Sequence, residues 1–458
     1  MKHSILFICS FILTLSHPVF AEFTLPDYQK LTLKNGLTVY LMEQHEVPLV
    51  DIRVVTKAGA VNDGDNYGLA NFTGTALGFG SDKLSKKEIE DLFDFHGANF
   101  SNNVGMESSS LSLSIASKDI DGLLPVFRDI LLAPSFDNEE FIKEKKRHLE
   151  NLKQSREQPG QIIGGAFNQL YFQQHSLGNP ADGNISTIEK LSIKQIETFY
   201  QAFYSANNSA LIVVGDFNSK NMEQKINDLF SDWASKNISV PNLKSFKAPA
   251  ESNVLVVNKS DANESTFIIG GKGIASNHPD MVAIKVINTI LGGRFTSWLN
   301  DALRVNSGLT YGARSQFNSY STAGTFVIST FTKNETTFEA IDLALKTYDR
   351  LWEQGIDKDT LESAKAYVKG QFPPKYETSR QLAGLLATMW VQQLDNTFIN
   401  DFQKNVDALN VIKANEIVKT VFPRENLQLV IIGKADIIVE KAKKYGKVKA
   451  VDINTVSF

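Results

Sequence analysis

The chain has 458 residues, which is enough for more than one domain with a core of its own. Its composition, with 42% hydrophobic and 21% charged residues, is ordinary for a globular protein. The formal net charge of −4 gives no sign of a nucleic-acid partner, because proteins that bind nucleic acids usually carry an excess of basic residues.

The first 21 residues predict a secretory signal. Lys2 and His3 precede an apolar run from Ile5 to Leu15, and Val19-Phe20-Ala21 offers a small-residue cleavage site. The run is too short to cross a bilayer as a helix, and no second run of about 18 apolar residues follows. We therefore expect a secreted protein, periplasmic if its source is Gram-negative, with no membrane span after cleavage; a retained anchor is the alternative. Cys9 is the only cysteine, so the mature chain would contain none.

The N-terminal half alternates between strand and helix patterns. Asn35-Gly36 is a strong hairpin turn signal between two short alternating runs. Ser85 and Glu88 form a capping box at the start of a helix, and Gly97 ends that helix. The other predicted elements are a strand at Leu49–Val55, a strand at Ser108–Ala116, a helix at Ile120–Leu132 and a helix at Phe141–Gln154.

The segment from Gly68 to Leu77 predicts a short helix with two distinct faces. The apolar residues at helical spacing are Leu69, Phe72, Ala76 and, just beyond the segment, Phe79. Asn71, Gly74 and Thr75 share another face, because they fall at positions i, i+3 and i+4. A zinc site on such a helix needs two imidazoles one turn apart and a carboxylate that takes a proton from water. These three positions offer an amide, a hydrogen and a hydroxyl, none of which is a good zinc ligand or a general base near pH 7.

Gly74 stands in the interior of this predicted helix. A glycine in that place costs about 0.5–1 kcal/mol relative to alanine. We therefore expect Gly74→Ala to raise the melting temperature slightly, provided that the surroundings leave room for a methyl group.

A repeat relates the two halves of the chain. Leu211–Gly215 is echoed by Leu429–Gly433, and the same offset takes Leu191 to Leu409. A fixed offset over a helical stretch and a strand indicates two homologous halves; the alternative is a coincidence of two common strand patterns. Strands mixed with helices predict an α+β fold, in which each half is a mainly antiparallel sheet with helices packed on one face.

The boundary between the halves is predicted between Trp233 and Glu251. This stretch contains Asn, Ser, Lys and two Pro residues with little periodicity. We predict a signal peptide at 1–21, an N-terminal domain at 22–235, a linker at 236–250 and a C-terminal domain at 251–458.

The segment Gly68-Leu-Ala-Asn-Phe-Thr-Gly-Thr75 resembles the Gly-Leu-Ala-His-Phe-x-Glu-His segment of the insulinase-type (pitrilysin, inverted zincin) metallopeptidases. The likeness to the processing-peptidase-like branch extends over most of residues 25–445. It includes the loop from His175 to Pro180 and the pattern Leu303-Arg304-x-x-x-Gly308-Leu309-x-Tyr311. The resemblance implies two α+β domains in each subunit and a pair of subunits that close like a clam around a peptide.

The same resemblance implies that the zinc site is lost. It places the family's His-x-x-Glu-His positions at Asn71, Gly74 and Thr75. The family's third zinc ligand is a Glu seven residues after another Glu; Glu144 fits the first of these, and Asn151 stands at the ligand position. The chain is thus identified as a member with a degenerate zinc motif. We expect no catalytic residue and no metal of its own, with zinc in a partner subunit.

Arg304 and Tyr311 match the family's second functional element, an Arg and a Tyr that hydrogen-bond the substrate carbonyl near the zinc. Guanidinium and phenol groups stay protonated at neutral pH, and fixed donors stabilise a developing oxyanion. The resemblance implies that both residues serve the active site of a partner subunit. The alternative is that Arg304 pairs with a surface acid and that Tyr311 is a half-buried strand residue.

Two further features bear on metal and peptide binding. The histidines of the predicted mature chain are His45, His96, His148, His175 and His278. No two lie within one helical turn in sequence, so an unconventional zinc site would need distant residues; His148, three residues before Asn151, is the nearest candidate substitute.

Phe100-Ser-Asn-Asn103 resembles the family's edge strand, which receives substrate by strand addition, and an ordinary sheet edge is the alternative.

These observations lead to three hypotheses. The main one is a non-catalytic insulinase-like subunit that pairs with a zinc-bearing paralogue as a heterodimer and helps bind peptide substrate for proteolysis, with self-association as the alternative pairing. The second is a stand-alone peptide-binding or assembly protein without hydrolysis. The third is an active zinc metallopeptidase with an unconventional site.

Overall fold

The computed structural model describes residues 23–238 and 246–455, in which two six-stranded sheets are surrounded by helices. The predicted signal with its Cys9, and residues 239–245 of the predicted linker, lie outside the described part. Every strand of the first sheet precedes Asp216 and every strand of the second follows Ser252. The domain bounds given above stay a prediction.

The first sheet is built by the N-terminal half. Its strands are β1 (Gln29–Thr32), β2 (Thr38–Glu43), β3 (Leu49–Thr56), β4 (Asn99–Val104), β5 (Ser109–Ala116) and β6 (Ser209–Gly215). They lie in the order β1-β2-β6-β3-β5-β4, and neighbours are antiparallel except β2 and β6. The hairpin predicted at Asn35-Gly36 joins β1 to β2, with Gly36 at φ +84°, a left-handed conformation that favours glycine.

The second sheet repeats this order in the C-terminal half. Its strands are β7 (Asn253–Asn258), β8 (Glu264–Lys272), β9 (Arg314–Ser319), β10 (Gly324–Lys333), β11 (Gln428–Gly433) and β12 (Lys447–Asp452). Its strands lie in the order β12-β7-β11-β8-β10-β9. From β7 onwards, each strand is equivalent in position to a strand of the first sheet, in the order β2, β6, β3, β5 and β4. The outermost strands differ, because β1 pairs antiparallel and β12 pairs parallel.

Helices form most of the remaining chain. Those of the N-terminal half are α1 (Leu69–Ala76), α2 (Lys86–Phe95), α3 (Ile120–Leu132), α4 (Asn138–Ser155), α5 (Pro159–Phe172), α6 (Ile185–Lys190), α7 (Ile193–Phe203) and α8 (Ser219–Phe230). Those of the C-terminal half are α9 (Met281–Asn288), α10 (Trp298–Asn300), α11 (Thr337–Glu353), α12 (Lys358–Gly370), α13 (Ser379–Gln392), α14 (Thr397–Asn400), α15 (Phe402–Ala408), α16 (Val411–Val421) and α17 (Ala435–Ala442). Turns of π-helix at Thr289–Gly293 and Asp301–Asn306 extend α9 and α10. None of the helices described here has the length and apolar character that a bilayer crossing requires.

Two lysines show the duplication at the level of single contacts. Lys145 Nζ of α4 donates to the main-chain oxygen of Leu191 at 2.8 Å. Lys365 Nζ of α12 donates to the main-chain oxygen of Leu409 at 3.1 Å. Leu191 and Leu409 are the pair that the sequence repeat relates, and each directly follows the short helix before α7 or α16. The two halves therefore share fold and detailed contacts.

One helix of each half packs on the sheet of the other half. Helix α5 lies on β8 and β11, and α13 lies on β3 and β6. The contacts are apolar: Phe167 of α5 shares a core cluster with Val430, and Leu386 of α13 shares one with Ile212. Sequence periodicity could not predict this exchange, because it shows that a helix has an apolar face but not which sheet that face covers.

We expect Phe167→Ala to lower the free energy of unfolding by about 3–5 kcal/mol, because it leaves a cavity between α5 and the second sheet. The matched control is Phe95→Ala: Phe95 is 85% exposed at the end of α2, whereas Phe167 is 1% exposed. The control should change stability by less than about 0.5 kcal/mol. Urea unfolding followed by circular dichroism measures both, and equal effects would contradict the helix exchange.

Candidate functional site

A buried carboxylate holds the N-terminus of α1. Asp63, which is 2% exposed, accepts hydrogen bonds from the backbone N–H groups of Gly68 at 2.8 Å and Ala70 at 2.7 Å. Burial raises the pKa of Asp63 to about 7, although these backbone donors act in the opposite direction. Asp63 was not predicted from the sequence; the signal that could have found it is an acid shortly before a helix start.

The zinc-motif positions of α1 are engaged in protein contacts. Asn71 and Thr75 are half-buried, and Asn71 Nδ2 donates to Asp182 Oδ1 at 2.9 Å. The main-chain oxygen of Asp182 accepts from His148 Nε2 of α4 at 2.7 Å. The His148 ring lies edge-on to Phe72 of α1, with 5.0 Å between the ring centroids. Asp182 therefore connects α1 to α4 in the region where the resemblance would place zinc ligands.

Gly74 is buried against the edge strand β4. A Cβ built on Gly74 would lie 2.4 Å from Val104 Cγ2, and the main-chain oxygen of Gly74 accepts from Asn102 Nδ2 at 2.9 Å. The helix predicted here is correct, but the condition for stabilisation by Gly74→Ala, room for a methyl group, is not met. We therefore no longer expect stabilisation, because the contact with a distant strand acts against the helix propensity of alanine.

The remaining zinc position lies on α4. Asn151 is exposed, and Glu144, which precedes it by seven residues, is paired with Arg147 at 2.5 Å. Within residues 23–238 and 246–455, no three His, Cys, Asp or Glu side chains are grouped as a metal ion would need. The side chains at the motif positions do not fit zinc, because the Asn71 amide is already bonded, Gly74 offers no ligand, and the others are neutral oxygen groups.

Arg304 and Tyr311 lie on either side of a turn in the C-terminal half. Arg304 belongs to the π-helical turn Asp301–Asn306, and its Cζ lies 4.6 Å from the ring centroid of Phe295. Gly308, at φ +65°, reverses the chain towards β9, and Tyr311 then stands 80% exposed. Among the described residues, Arg304 has no ion pair with an acid. Both donor groups thus reach the surface. Within the described part of the chain, Arg304 does not pair with a surface acid, and Tyr311 is exposed and not half-buried.

Strand β4 is one edge of the first sheet, as the segment Phe100–Asn103 suggested, and among the described strands only β5 pairs with it. Its residues alternate, so that Phe100 and Asn102 face the α1 side, whereas Asn99, Ser101 and Asn103 are exposed. The edge is therefore available for strand addition, with one row of side chains beside α1 and a polar row on the opposite face.

The other histidines have partners away from this region. His45 and His96 are bound to carboxylates, and His175 and His278 accept hydrogen bonds from backbone N–H groups. His148 is engaged by the Asp182 carbonyl as described. These contacts give no support to an unconventional zinc site.

Comparison with known families decides the relationship. Residues 38–183 match the family model described as insulinase (peptidase family M16), and residues 190–368 match the model described as peptidase M16 inactive domain. The chain belongs to the insulinase family. The family resemblance predicted from Gly68–Thr75 and from the Arg304 and Tyr311 segment is confirmed.

Relatives in the insulinase family include chains described both as peptidases and as non-peptidases. The chain is 24% identical to "Zinc protease PqqE" of Helicobacter pylori, over 87% of this chain and 91% of that protein. It is 20% identical to "Non-peptidase homolog YmxG" of the same species, over 82% and 87%. A crystal structure of a peptidase M16 inactive domain from Pseudomonas fluorescens superposes with a TM-score of 0.84 at 22% identity, covering 89% of this chain and 98% of that one. The predicted α+β fold is therefore confirmed.

The raised pKa of Asp63 makes the stability of α1 sensitive to pH. The native state keeps this proton up to about pH 7, whereas the unfolded chain releases it near the ordinary value of 3.8. The contribution of Asp63 is thus fully present below about pH 4 and is lost as pH rises through about 7. Relative to Asp63→Asn, the natural chain should lose stability over that range, by at most about 1.4 kcal/mol per pH unit. Urea unfolding of both proteins at constant ionic strength measures this. A free energy of unfolding of the natural chain that rises with pH relative to Asp63→Asn would contradict it.

We expect Gly74→Ala to lower the free energy of unfolding by about 1–3 kcal/mol, because the new methyl group meets Val104. Gly122→Ala in α3 is the matched control: its methyl group would enter open space, so helix propensity alone should stabilise the chain by up to about 1 kcal/mol. Combining Gly74→Ala with Val104→Ala should cost less than the sum of the single changes. Additive costs in thermal or urea unfolding would show that the two side chains do not meet.

Proposed function

We propose that this chain is a non-catalytic subunit of the insulinase family that pairs with a zinc-bearing paralogue and helps bind a peptide for proteolysis. The proposal rests on a difference between the family's two functional elements. The positions of the zinc ligands hold residues that do not bind zinc, whereas the Arg and Tyr donors are present. The positions concerned are Asn71, Gly74, Thr75 and Asn151 on one side and Arg304 and Tyr311 on the other. The expected location is the periplasm of a Gram-negative cell.

The donor pair would act on the peptide carbonyl. The Arg304 guanidinium stacks on Phe295, which restricts its orientation before any ligand binds. The Tyr311 hydroxyl belongs to a side chain that is 80% exposed and therefore free to meet a second molecule. Two fixed donors that converge on one oxygen stabilise the negative charge that develops there during hydrolysis. Zinc and the water it activates would come from the partner.

The relatives support a division between two chains. Helicobacter pylori has both a relative named as a zinc protease and one named as a non-peptidase homolog. A species that keeps both kinds of chain is consistent with a mixed pair. The interaction with a zinc-bearing chain is therefore the point to test.

A stand-alone peptide-binding protein is the second candidate. The free edge of β4 favours it, because strand addition to an exposed edge needs no zinc and no partner subunit. The two candidates differ in one measurable respect: only the first requires that Arg304 and Tyr311 affect the turnover of another chain.

We expect the mature chain, purified alone, to carry no stoichiometric zinc and to cleave no peptide, because no motif position offers zinc a charged or imidazole ligand. Metal analysis at micromolar protein and cleavage of a quenched peptide measure this. One zinc per chain together with hydrolysis that a chelator abolishes would instead favour the active peptidase.

We expect Arg304→Ala and Tyr311→Phe each to reduce turnover by the mixed complex at least about tenfold, since removal of one oxyanion donor costs about 100- to 1,000-fold in a strong case. Each variant is mixed with the zinc-bearing paralogue, the complex is confirmed by sedimentation, and cleavage of a quenched peptide is followed. The matched control is Arg424→Ala, another half-exposed arginine that lies over an aromatic ring, 5.4 Å from Trp352.

The control should leave turnover unchanged. Unchanged turnover in the Arg304 and Tyr311 variants, with the complex intact, would remove the catalytic role and leave peptide binding without hydrolysis as the better candidate. Loss of the complex itself would place these residues in assembly instead.

A further inference from the structure

A small pit lies on the face of the first sheet that α13 partly covers. Its volume is about 20 Å³, which is enough for one water-sized group. The polar residues that line it are Asp51 and Arg53 of β3, Ser101 of β4, Ser112 and Ser114 of β5, and Arg380 of α13. Three strands of one half and a helix of the other half therefore meet at this point.

The pit is rich in hydrogen-bond donors and has a net positive charge. It holds two guanidinium groups and one carboxylate, Asp51, and that carboxylate is already engaged. Ser114 Oγ donates to Asp51, and Arg380 Nε lies 3.6 Å from it. Arg380 Nη2 donates to Ser114 Oγ at 2.9 Å. The one acidic group of the pit is thus shared between two arginines, Arg380 and Arg53.

Arg53 is that second arginine. Its Nε is buried and has no hydrogen-bond partner within the part of the chain that the structure describes. Burial is the largest cause that lowers the pKa of Arg53; the charge of Asp51 acts in the opposite direction, and the charge of Arg380 adds to the lowering. A buried N–H donor without an acceptor costs free energy, which a bound oxygen would recover.

We propose that this pit binds one carboxylate oxygen of a peptide. A carboxylate supplies the negative charge and the acceptor lone pairs that two arginines and the hydroxyl groups of Ser101 and Ser112 can satisfy. The carboxylate comes either from the C-terminus of the peptide or from an Asp or Glu side chain. Ser101 stands on β4, so alternate side chains of a strand added to that edge would face the pit. The inference rests on the peptide-binding part of the proposed function.

Four fluorescent peptides of one neutral, polar ten-residue sequence test the proposal against the mature chain alone. The first two end in a free carboxylate or in an amide. The other two are amidated and carry a single Glu or a single Gln at the same position. Fluorescence anisotropy should show that at least one carboxylate peptide binds about tenfold more tightly than its neutral twin. The pair that shows the difference identifies the source of the carboxylate. Equal affinities within both pairs, or no binding by any peptide, overturn the proposal.

Variants of the pit test whether its arginines cause the preference for the carboxylate peptide. Arg53→Gln and Arg380→Gln should each abolish the preference for the carboxylate peptide. Arg314→Gln, which removes one charge from the exposed start of β9, is the matched control and should keep it. Circular dichroism confirms folding, and Arg380, with an exposed side chain at the start of α13, provides the decisive variant if Arg53→Gln does not fold. A preference that survives in the folded variants of the pit overturns the proposal. Because only this chain is used, the outcome is independent of the turnover experiment on the mixed complex.

Discussion

The exchange of α5 and α13 between the halves is the constraint on which the other features depend. The central strands β6 and β11 are buried at every residue, so both faces of each sheet must be covered. Helices of the same half cover one face of each sheet. The other face is covered by a helix of the other half, α13 for the first sheet and α5 for the second. Burial of each large apolar side chain at these contacts contributes about 1.5–3 kcal/mol. Neither half can complete its core alone. Helix α1 packs in a core cluster of the N-terminal half, and the turn after Arg304 adjoins the cluster that joins α13 to Ile212 of the first sheet.

The positions on α1 at which the family resemblance places zinc ligands are in contact with other parts of the chain. Val104 of β4 occupies the space that a side chain at position 74 would need, and Asn102 binds the main-chain oxygen of Gly74. Asp182 joins Asn71 to His148, so that a hydrogen-bonded link connects α1 and α4. A Glu placed at position 74 would therefore meet the side chain of Val104, and the chain would have to adjust locally, at the cost of overpacking.

Local signals predicted much of the fold from the sequence, and distant contacts account for what they missed. The capping box of Ser85 and Glu88, the turn at Asn35-Gly36 and the helix Ile120–Leu132 depend on neighbours in sequence, and the structure has them as predicted. The equivalence of Leu191 and Leu409 is also seen in the structure, where the main-chain oxygen of each accepts a hydrogen bond from a lysine. The exchanged helices, the clash at Gly74 and the cap supplied by Asp63 arise between residues whose contact no periodicity shows. At the motif positions, the sequence shows which groups are present, but not that Val104 lies against Gly74 or that Asn71 is bonded to Asp182.

The surface around Arg304 is difficult to explain within a single chain. Phe295 is 64% exposed, Val305 is equally exposed and Tyr311 more so, and exposed aromatic side chains add little to the stability of the chain that carries them. The guanidinium of Arg304 lies on Phe295 without an acidic partner among the described residues, so its charge is not compensated within the fold. An exposed apolar surface that also carries a guanidinium and a phenol suits a second molecule that brings both an apolar side chain and an oxygen acceptor. A peptide has both groups, and under the proposed pairing with a zinc-bearing chain the metal would come from that second chain.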